Sequence, residues 1–407
     1  MQNAVIVDVV RTPRGKGKPG GALSAVHPQE LLAGVLRELE KRTGLDPGDV
    51  EDVLTGCANA VADHGDCIAR LSLLAAGWPD HVPGLTMNRF CGSGQQAVNS
   101  AAMMIAAGQA DVVVASGVEM MSRYPSGGRL TLDGGNEKLR ARHPLVPQGI
   151  SADLIASLDG FSRADVDAYA LESQRRAAEA IAGGRFAKSM TPVLADDGTV
   201  LLDREELPRA TSMAKLAGLQ PSFAQLGGRV LDGYDSSFDD MCRAVYPALG
   251  AVDHVHHAGN SSGLADGAAA VLLASEEAAR ERGWRPRARV IAGASMGAEP
   301  VIMLTAPGPA TARCLAKAGM SLSDIDLFEV NEAFAAVVLR FLRETGADPQ
   351  QVNVNGGAIA LGHPIGASGP ILFATLLDEL ERHDLSTGVV TMCTGGGMGT
   401  ATVIERI

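Results

Sequence analysis

The sequence predicts an α/β fold made of two similar halves packed together, with a loop-rich subdomain inserted between their parts. Three observations predict it. Short apolar, β-branched runs alternate with segments of helical periodicity in the first and last thirds of the chain. Between about residues 120 and 250 the texture changes, as charges, Gly and Pro rise. One helix–strand unit also occurs twice, which is the mark of an internal repeat.

Residues 4–10 are apolar and β-branched, which suits a buried strand. Residues 28–42 carry helical periodicity, opened by Pro28 and closed before Gly44. Val50–Gly56 has the look of a short strand. The stretch 94–108 is small and apolar almost all round, as in a buried helix, and 111–116 (DVVVAS) follows as a strand covered on both faces. In the inserted region a helix is expected over 163–182. The α/β alternation returns with a strand at 268–274 and a helix at 276–282. After these come a strand at 288–295, a helix at 309–318, a strand at 326–330, a helix at 332–345 and a strand at 351–354. The repeat pairs CGSG at 91–94, opening a small-residue helix before a strand near Val112, with GASG at 366–369, opening a helix before a strand near Val389.

The 407 residues exceed the size at which one core usually stops growing, so roughly two or three domains are expected. Hydrophobic residues make up 46% and charged residues 20%, as in compact globular proteins. A formal net charge of -12 argues against binding nucleic acid or anionic membranes. A phosphorylated substrate stays compatible with it, because local Arg, Lys and helix N-termini can hold phosphate. The six cysteines are too sparse for a secreted disulfide scaffold, and none has a metal-ligand spacing. No charge-free run is long enough to cross a bilayer, and the start lacks a cleavable leader pattern. A cytoplasmic protein without a metal is expected.

Four short motifs carry residues suited to chemistry. Cys91, in Asn88-Arg-Phe-Cys-Gly-Ser-Gly-Gln-Gln96, stands at the mouth of a helix, where unpaired N–H groups favour a thiolate. A buried structural cysteine would give the same local pattern. His363 lies among glycines and before Pro364, on a shaped turn, with a pKa range suited to taking a thiol proton. A core histidine is the bland alternative. Cys393 ends an apolar strand and faces the glycines 395–397, whose N–H groups can form an oxyanion nest. Asn331, in Glu329-Val-Asn-Glu-Ala-Phe-Ala-Ala336, sits where a strand turns into a helix and suits either an N-cap or a donor that holds a water.

Taken in order, these motifs resemble those of the thiolases, the acyl-CoA:acetyl-CoA C-acyltransferases. The matching pieces are Asn88–Gln96, Gly259-Asn-Ser-Ser-Gly-Leu-Ala-Asp-Gly-Ala-Ala269, Asn331–Ala336, Gly362-His-Pro-Ile-Gly-Ala-Ser-Gly369 and Cys393-Thr-Gly-Gly-Gly-Met-Gly399. The remainder aligns in outline from residue 2 to 407. The resemblance implies a duplicated fold layered α-β-α-β-α. The first half would be 1–120 completed by 245–275, the loop subdomain 121–244 and the second half 276–407.

The resemblance also implies roles. Cys91 would attack the thioester of a 3-ketoacyl-CoA and carry the acyl group, with His363 drawing its proton. Cys393 would protonate the leaving acetyl-CoA carbanion, and abstract the same proton in synthesis. Asn331 would hold a water that forms one oxyanion hole with His363, and the N–H groups of Cys91 and Gly395 would form the other. Coenzyme A and acetyl-CoA would be substrates, with no permanently bound cofactor. CoA would lie across the inserted region, with Ser262 bonding the pantetheine and Phe223, Met303 and Phe334 lining the apolar slot. Arg or Lys within 204–229 would offset the acidic surface near the phosphates. A homodimer or homotetramer in lipid metabolism is implied.

Two departures bear on the acyl group. Gln148, in Val146-Pro-Gln-Gly149, stands where thiolases often have Met and changes the wall of the acyl pocket. The last motif reads C-T-G-G-G-M-G where many members have C-I-G-G-G-Q-G. Short, fatty and ring-derived acyl groups all fit this pattern. Two rival readings share the fold. A decarboxylating ketoacyl synthase generally uses two histidines, whereas here the partner of His363 is Cys393. A non-catalytic acyl-CoA or lipid carrier could dispense with reacting groups that this chain keeps. His256 and His257 match no thiolase catalytic position and are expected to be structural or at the surface.

Overall fold

The structure, a computed structural model, describes residues 2–124 and 132–407. Met1 and residues 125–131 of the expected inserted subdomain lie outside the described residues. The chain opens with β1 (Ala4–Arg11), β2 (Gly15–Lys16), α1 (Pro28–Thr43), β3 (Asp52–Gly56) and α2 (Ile68–Ala76). Then come β4 (Gly84–Met87), α3 (Ser93–Ala106) and β5 (Val112–Met120). The insertion holds α4 (Glu137–Arg142), α5 (Gln148–Asp159), α6 (Arg163–Ala182) and a hairpin of β6 (Val193–Leu194) and β7 (Val200–Leu202). It ends with α7 (Met213–Ala217), α8 (Ala224–Gly227) and α9 (Phe238–Val245). The chain then returns through β8 (Ala265–Ser275) and α10 (Glu276–Glu281). The last third runs β9 (Ala288–Gly297), α11 (Pro307–Ala318), β10 (Leu327–Val330) and α12 (Ala335–Thr345). It closes with α13 (Ala358–Leu361), α14 (Ser368–Arg382), β11 (Thr387–Thr394) and β12 (Met398–Arg406).

The main sheet has the order β10-β11-β12-β9-β1-β8-β5-β3-β4. Its two ends repeat one another. β3 joins β5 in parallel, and β8 and β1 then follow antiparallel. β10 joins β11 in parallel, and β12 and β9 then follow antiparallel. The halves meet where β1 touches β9 through only Val5–Arg289 and Ile6–Ala288. The duplication expected from the CGSG and GASG echo is therefore the organising feature of the fold.

Alternation along the strands builds the layers. Val112 and Val114 turn to a core shared with Leu31, Leu32, Val35, Leu36 and Leu39 of α1. Val113 and Ala115 turn the other way, to a core shared with Ala97, Val98 and Ile105 of α3 and with Phe373 and Leu377 of α14. That second core also takes Val390, Met392 and Ile404 from the far half-sheet. The order is thus helix, sheet, central helices, sheet and, with Ala310, Leu315, Val338 and Phe341 of α11 and α12, helix again. Each buried Leu or Val contributes about 1.5–3 kcal/mol by leaving water.

The central pair explains the glycines of the repeated motif. A Cβ on Gly369 would lie 2.1 Å from the backbone N of Gln95, and one on Gly94 would lie 2.4 Å from the carbonyl O of Gly366. α3 and α14 cross at backbone distance because these positions carry no side chain. Buried polar groups tie the crossing to the second half-sheet. Gln95 Nε2 donates to Val390 O at 2.8 Å and Thr402 Oγ1 donates to Asn99 Oδ1 at 2.7 Å.

Two expected elements differ. The helix read at 332–345 begins only at Ala335: the chain bends at Ala333, whose N–H donates to Asn331 O at 3.0 Å, and Phe334 is extended in the N-cap position and bridged to Ser261. The strand read at 351–354 reduces to one isolated parallel bridge between Val352 and Phe328. The helix at 163–182 has the expected bounds, set by a capping box between Ser162 and Asp165. Among the described residues no helix is long and apolar enough to cross a membrane.

Candidate active site

Cys91 sits in the turn between β4 and α3. Phe90, just before it, holds φ at +50, a left-handed conformation that is uncommon for a large side chain. Its neighbours impose it. Asn88 Oδ1 accepts from Phe90 N–H at 2.8 Å, while Asn88 Nδ2 donates to Ala58 O at 2.9 Å. Ser93 Oγ accepts from Arg89 N–H at 2.9 Å and donates to Phe90 O at 2.6 Å. The result is a sharp turn that presents the sulfur beside the start of α3.

That sulfur is buried, and burial pushes the Cys91 thiol up to about 11. Hydrogen bonds from its own N–H, the Gly395 N–H and the Gln148 side chain act in the opposite direction. These donors come from the turns at Cys91 and Gly395 and from the start of α5, and desolvation outweighs them. The resting group is a thiol, as suits a sulfur expected to give up its proton to a base.

Cys393 occupies the end of β11, opposite Gly399 of β12. The following turn needs its glycines, since Gly396 and Gly397 have φ of +75 and +76. Burial raises the Cys393 thiol, and Cys91 is the next largest cause, which places the two sulfurs within electrostatic reach of each other. Among the described residues, its own N–H is the donor that favours its thiolate.

His363 follows α13, whose end at Gly362 has φ of +94. Its backbone N–H donates to Gly263 O at 2.9 Å, fixing the turn on the GNSSG segment. Ser368 Oγ donates its hydrogen to Pro364 O at 2.9 Å, so towards the ring it acts as acceptor. Nδ1, 2.5 Å from that oxygen, then carries the ring hydrogen, and Nε2 presents its lone pair. Asn331 Nδ2 meets Nε2 at 3.3 Å and donates to it. Burial, with the Arg14 charge second, holds the His363 imidazole down at about 4. It is a neutral base at pH 7. Asn331 is thus no N-cap: its backbone N–H donates to Thr391 O at 3.0 Å and its amide faces the imidazole.

The groups expected along CoA gather near this centre. Met303, Phe334 and Cys393 belong to one apolar cluster, against which Phe223 packs. The Phe223 and Phe334 rings meet edge to face at 6.1 Å. Ser262 is half-buried, and its N–H donates to Ala333 O at 2.9 Å. Arg204, Arg209, Lys215 and Arg229 are exposed on the inserted region. His256 and His257 are buried and structural: His256 Nδ1 meets Asp153 Oδ1 at 2.8 Å, and His257 Nε2 meets Asp167 Oδ1 at 2.8 Å. No group of three or more His, Cys, Asp and Glu among the described residues could hold a metal ion.

Sequence reasoning missed three supports. Glu119, the one acid in the apolar strand VVVASGVEM, is fully buried at the end of β5. It accepts from Ala58 N–H at 2.8 Å, Asn59 N–H at 3.2 Å and Gly366 N–H at 2.8 Å. One carboxylate thereby joins the loop that holds Asn88 to the turn that follows His363. Glu332, next to Asn331, accepts from Tyr169 Oη at 2.8 Å and Ser173 Oγ at 2.6 Å, tying α6 of the insertion to the site. Arg14, which bears on His363, is held by Glu205 at 2.8 Å, as is Arg11. A lone acid in an apolar run was the available signal for Glu119.

Fold and site together place the chain among acyltransferases built on a duplicated α/β core. Comparison with known proteins agrees along the whole length. The description "Thiolase, N-terminal domain" matches residues 4–246, and "Thiolase, C-terminal domain" matches residues 284–406. The chain is 43% identical to the steroid 3-ketoacyl-CoA thiolase FadA6 of Mycobacterium tuberculosis, covering 100% of this chain and 95% of that protein. It is 39% identical to the 3-ketoacyl-CoA thiolase of Cronobacter sakazakii over 100% of both. The crystal structure of the Bacillus anthracis acetyl-CoA acetyltransferase superposes with a TM-score of 0.84 at 37% identity, covering 100% and 99% of the two chains. The chain belongs to the thiolase family. Its activity is CoA-dependent acyl transfer between CoA thioesters, the thiolase reaction.

Proposed function

We propose that the chain cleaves 3-ketoacyl-CoA with CoA, or runs the reverse condensation, through an acyl group carried on Cys91. The observation that carries this reading is the asymmetry of the two buried thiols. Among the described residues, the Gly395 N–H and a side-chain amide join the sulfur's own N–H in favouring the Cys91 thiolate, while Cys393 has its own N–H alone, so Cys91 becomes an anion more readily.

The geometry supports the following steps. His363 Nε2, neutral and holding only the long 3.3 Å contact from the Asn331 amide on its lone pair, exchanges that contact for the Cys91 proton as sulfur attacks the thioester carbon. With the proton aboard, Nε2–H becomes a donor, and with a water held by Asn331 it stabilises the oxygen of the acetyl-CoA enolate. The N–H groups of Cys91 and Gly395 take the oxygen of the tetrahedral intermediate. Loss of one such donor typically costs about 3 kcal/mol in the transition state. Cys393, the weaker acid, delivers a proton to the carbanion and withdraws it in synthesis. Splitting the carbon–carbon cleavage into acylation and transfer lowers each barrier.

CoA lies over the subdomain 121–244, with Ser262 on the pantetheine and Phe223, Met303, Phe334 and Gln148 around the thioester. The halves are 1–120 with 245–275, and 276–407. Support for that division comes from β8, which pairs between β1 and β5 in the first half-sheet. The enzyme assembles with copies of itself: β4 ends the sheet as an open strand, and its Leu85 is 49% exposed, which favours pairing of that edge. All six cysteines are free, as suits the reducing cytoplasm.

Cys91→Ser tests the reading. CoA-dependent cleavage should be nearly abolished with the fold intact by circular dichroism, and unchanged turnover would reject Cys91 as nucleophile. A panel of short, fatty and ring-derived 3-ketoacyl-CoAs assigns the acyl group.

A further inference from the structure

Gln148 is the first residue of α5, and the eight residues after it are buried. Two contacts anchor the helix start. A Cβ on Gly149 would lie 2.3 Å from the Phe223 ring, and Ser151 Oγ donates to Val301 O at 2.7 Å. The Gln148 side chain is thus aimed from a fixed base. It reaches the oxyanion turn, where its Nε2 is 3.2 Å from the position a Cβ would take on Gly395. Phe90 Cγ, one residue before Cys91, lies 3.2 Å from that same Gly395 position, so the amide stands beside the turn that carries the Cys91 sulfur, where it favours the thiolate. A residue that only walled the acyl pocket would have no need of a donor at this place, because a thioether of similar length would fill the same space.

We propose that Gln148 is a further catalytic residue, whose amide N–H binds the Cys91 sulfur and stabilises the thiolate as it forms. The inference rests on the reading of Cys91 as the nucleophile. In the step concerned the S–H bond breaks, the proton passes to His363 Nε2, and the electron pair stays on Sγ. Two backbone N–H groups already face that sulfur, and in a buried site a third donor adds charge stabilisation at small reorganisation cost. Gln148 therefore offsets part of the desolvation that keeps Cys91 protonated at rest.

The test compares Gln148→Met, which removes the donor at similar length, with Gln148→Glu, which keeps the shape and brings a negative charge. Alkylation of Cys91 by iodoacetamide between pH 7 and 9, read by peptide mass spectrometry on the whole enzyme, reports the thiolate without any turnover. Alkylation should fall about tenfold in Gln148→Met, the thiolate fraction that goes with a tenfold weaker acid, and further in Gln148→Glu. Thiolysis kcat should fall by a similar factor for short and long 3-ketoacyl-CoAs alike, with KM little changed. An unchanged alkylation rate overturns the proposal, and a change in chain-length preference alone would assign Gln148 to the pocket wall instead. Because alkylation reports on the contact itself, it decides the matter for Gln148 whatever the outcome for Cys91→Ser. Should Gln148→Met fail to fold, the isosteric Gln148→Glu gives the same readout.

Discussion

The Nδ1 of His363 lies 2.5 Å from Ser368 Oγ, and that hydroxyl is committed to Pro364 O at 2.9 Å. This relay fixes the tautomer, so the lone pair on Nε2 is a consequence of a serine five residues along. Ser368→Ala should lower kcat about tenfold or more while leaving KM near its parent value, because the ring loses its tautomer and orientation but substrate contacts remain. Steady-state kinetics with one 3-ketoacyl-CoA checks it; an equal loss in both parameters would point to general distortion.

Acid should destabilise the protein through its buried histidines. The imidazole of His363 falls from 6.5 to about 4 in the fold, and burial lowers His64 to about 4 as well. Their folded values lie below the unfolded ones, so the stability they permit is full above pH 6.5 and is lost as pH falls from 6.5 towards 4. For His363 alone the loss amounts to about 3 kcal/mol. Urea unfolding at pH 7 and pH 4 measures it, and His363→Gln should flatten the dependence.

Glu205 is the shared partner of Arg11 and Arg14, and those two charges hold its carboxyl down at about 2 against the burial that would raise it. Glu205→Gln should destabilise the fold by about 3–5 kcal/mol, since two guanidinium groups would be left without their counter-charge. The effect should also reach the site, because Arg14 already disfavours the charged imidazole of His363. Chemical denaturation gives the first quantity, and the histidine's proton titration by NMR gives the second; no change in either would deny the link.

The crossing of α3 and α14 admits no side chain at Gly369, where a Cβ would meet the Gln95 backbone N at 2.1 Å. Gly369→Ala should cost about 1–3 kcal/mol through overpacking. Turnover should fall as well, since Cys91 and His363 stand just ahead of these two helices. Thermal unfolding and kcat on the same preparation test both effects. A variant with parent stability would mean the helices can separate freely.

Much of this was legible in the chain. Pro28 and Gly44 marked both ends of α1, since one starts a helix readily and the other leaves it with φ of +65. Cys91, His363, Cys393 and Asn331 were recognisable because each sits in a motif whose glycines or turn residues are local features. Local reading failed where a distant contact decides. Asn331–Phe334 stays out of the helix because Asn331 answers to His363 and Phe334 to Ser261, neither nearby in sequence. The height of the Cys91 pKa likewise depends on burial by both halves, which no local pattern reveals. Glu205 lies some 190 positions beyond the arginines it holds, beyond the reach of any periodicity.

Strand β8 lies between β1 and β5 in space, yet it follows the entire insertion in sequence. On the ribosome, β1 and β5 must therefore wait with unpaired edges until Ser275 has emerged. Domains normally fold as they are made, from the N-terminus onward, and waiting strand edges are where nascent chains associate wrongly. For this chain the interval of greatest exposure is the time taken to synthesise residues 121–264.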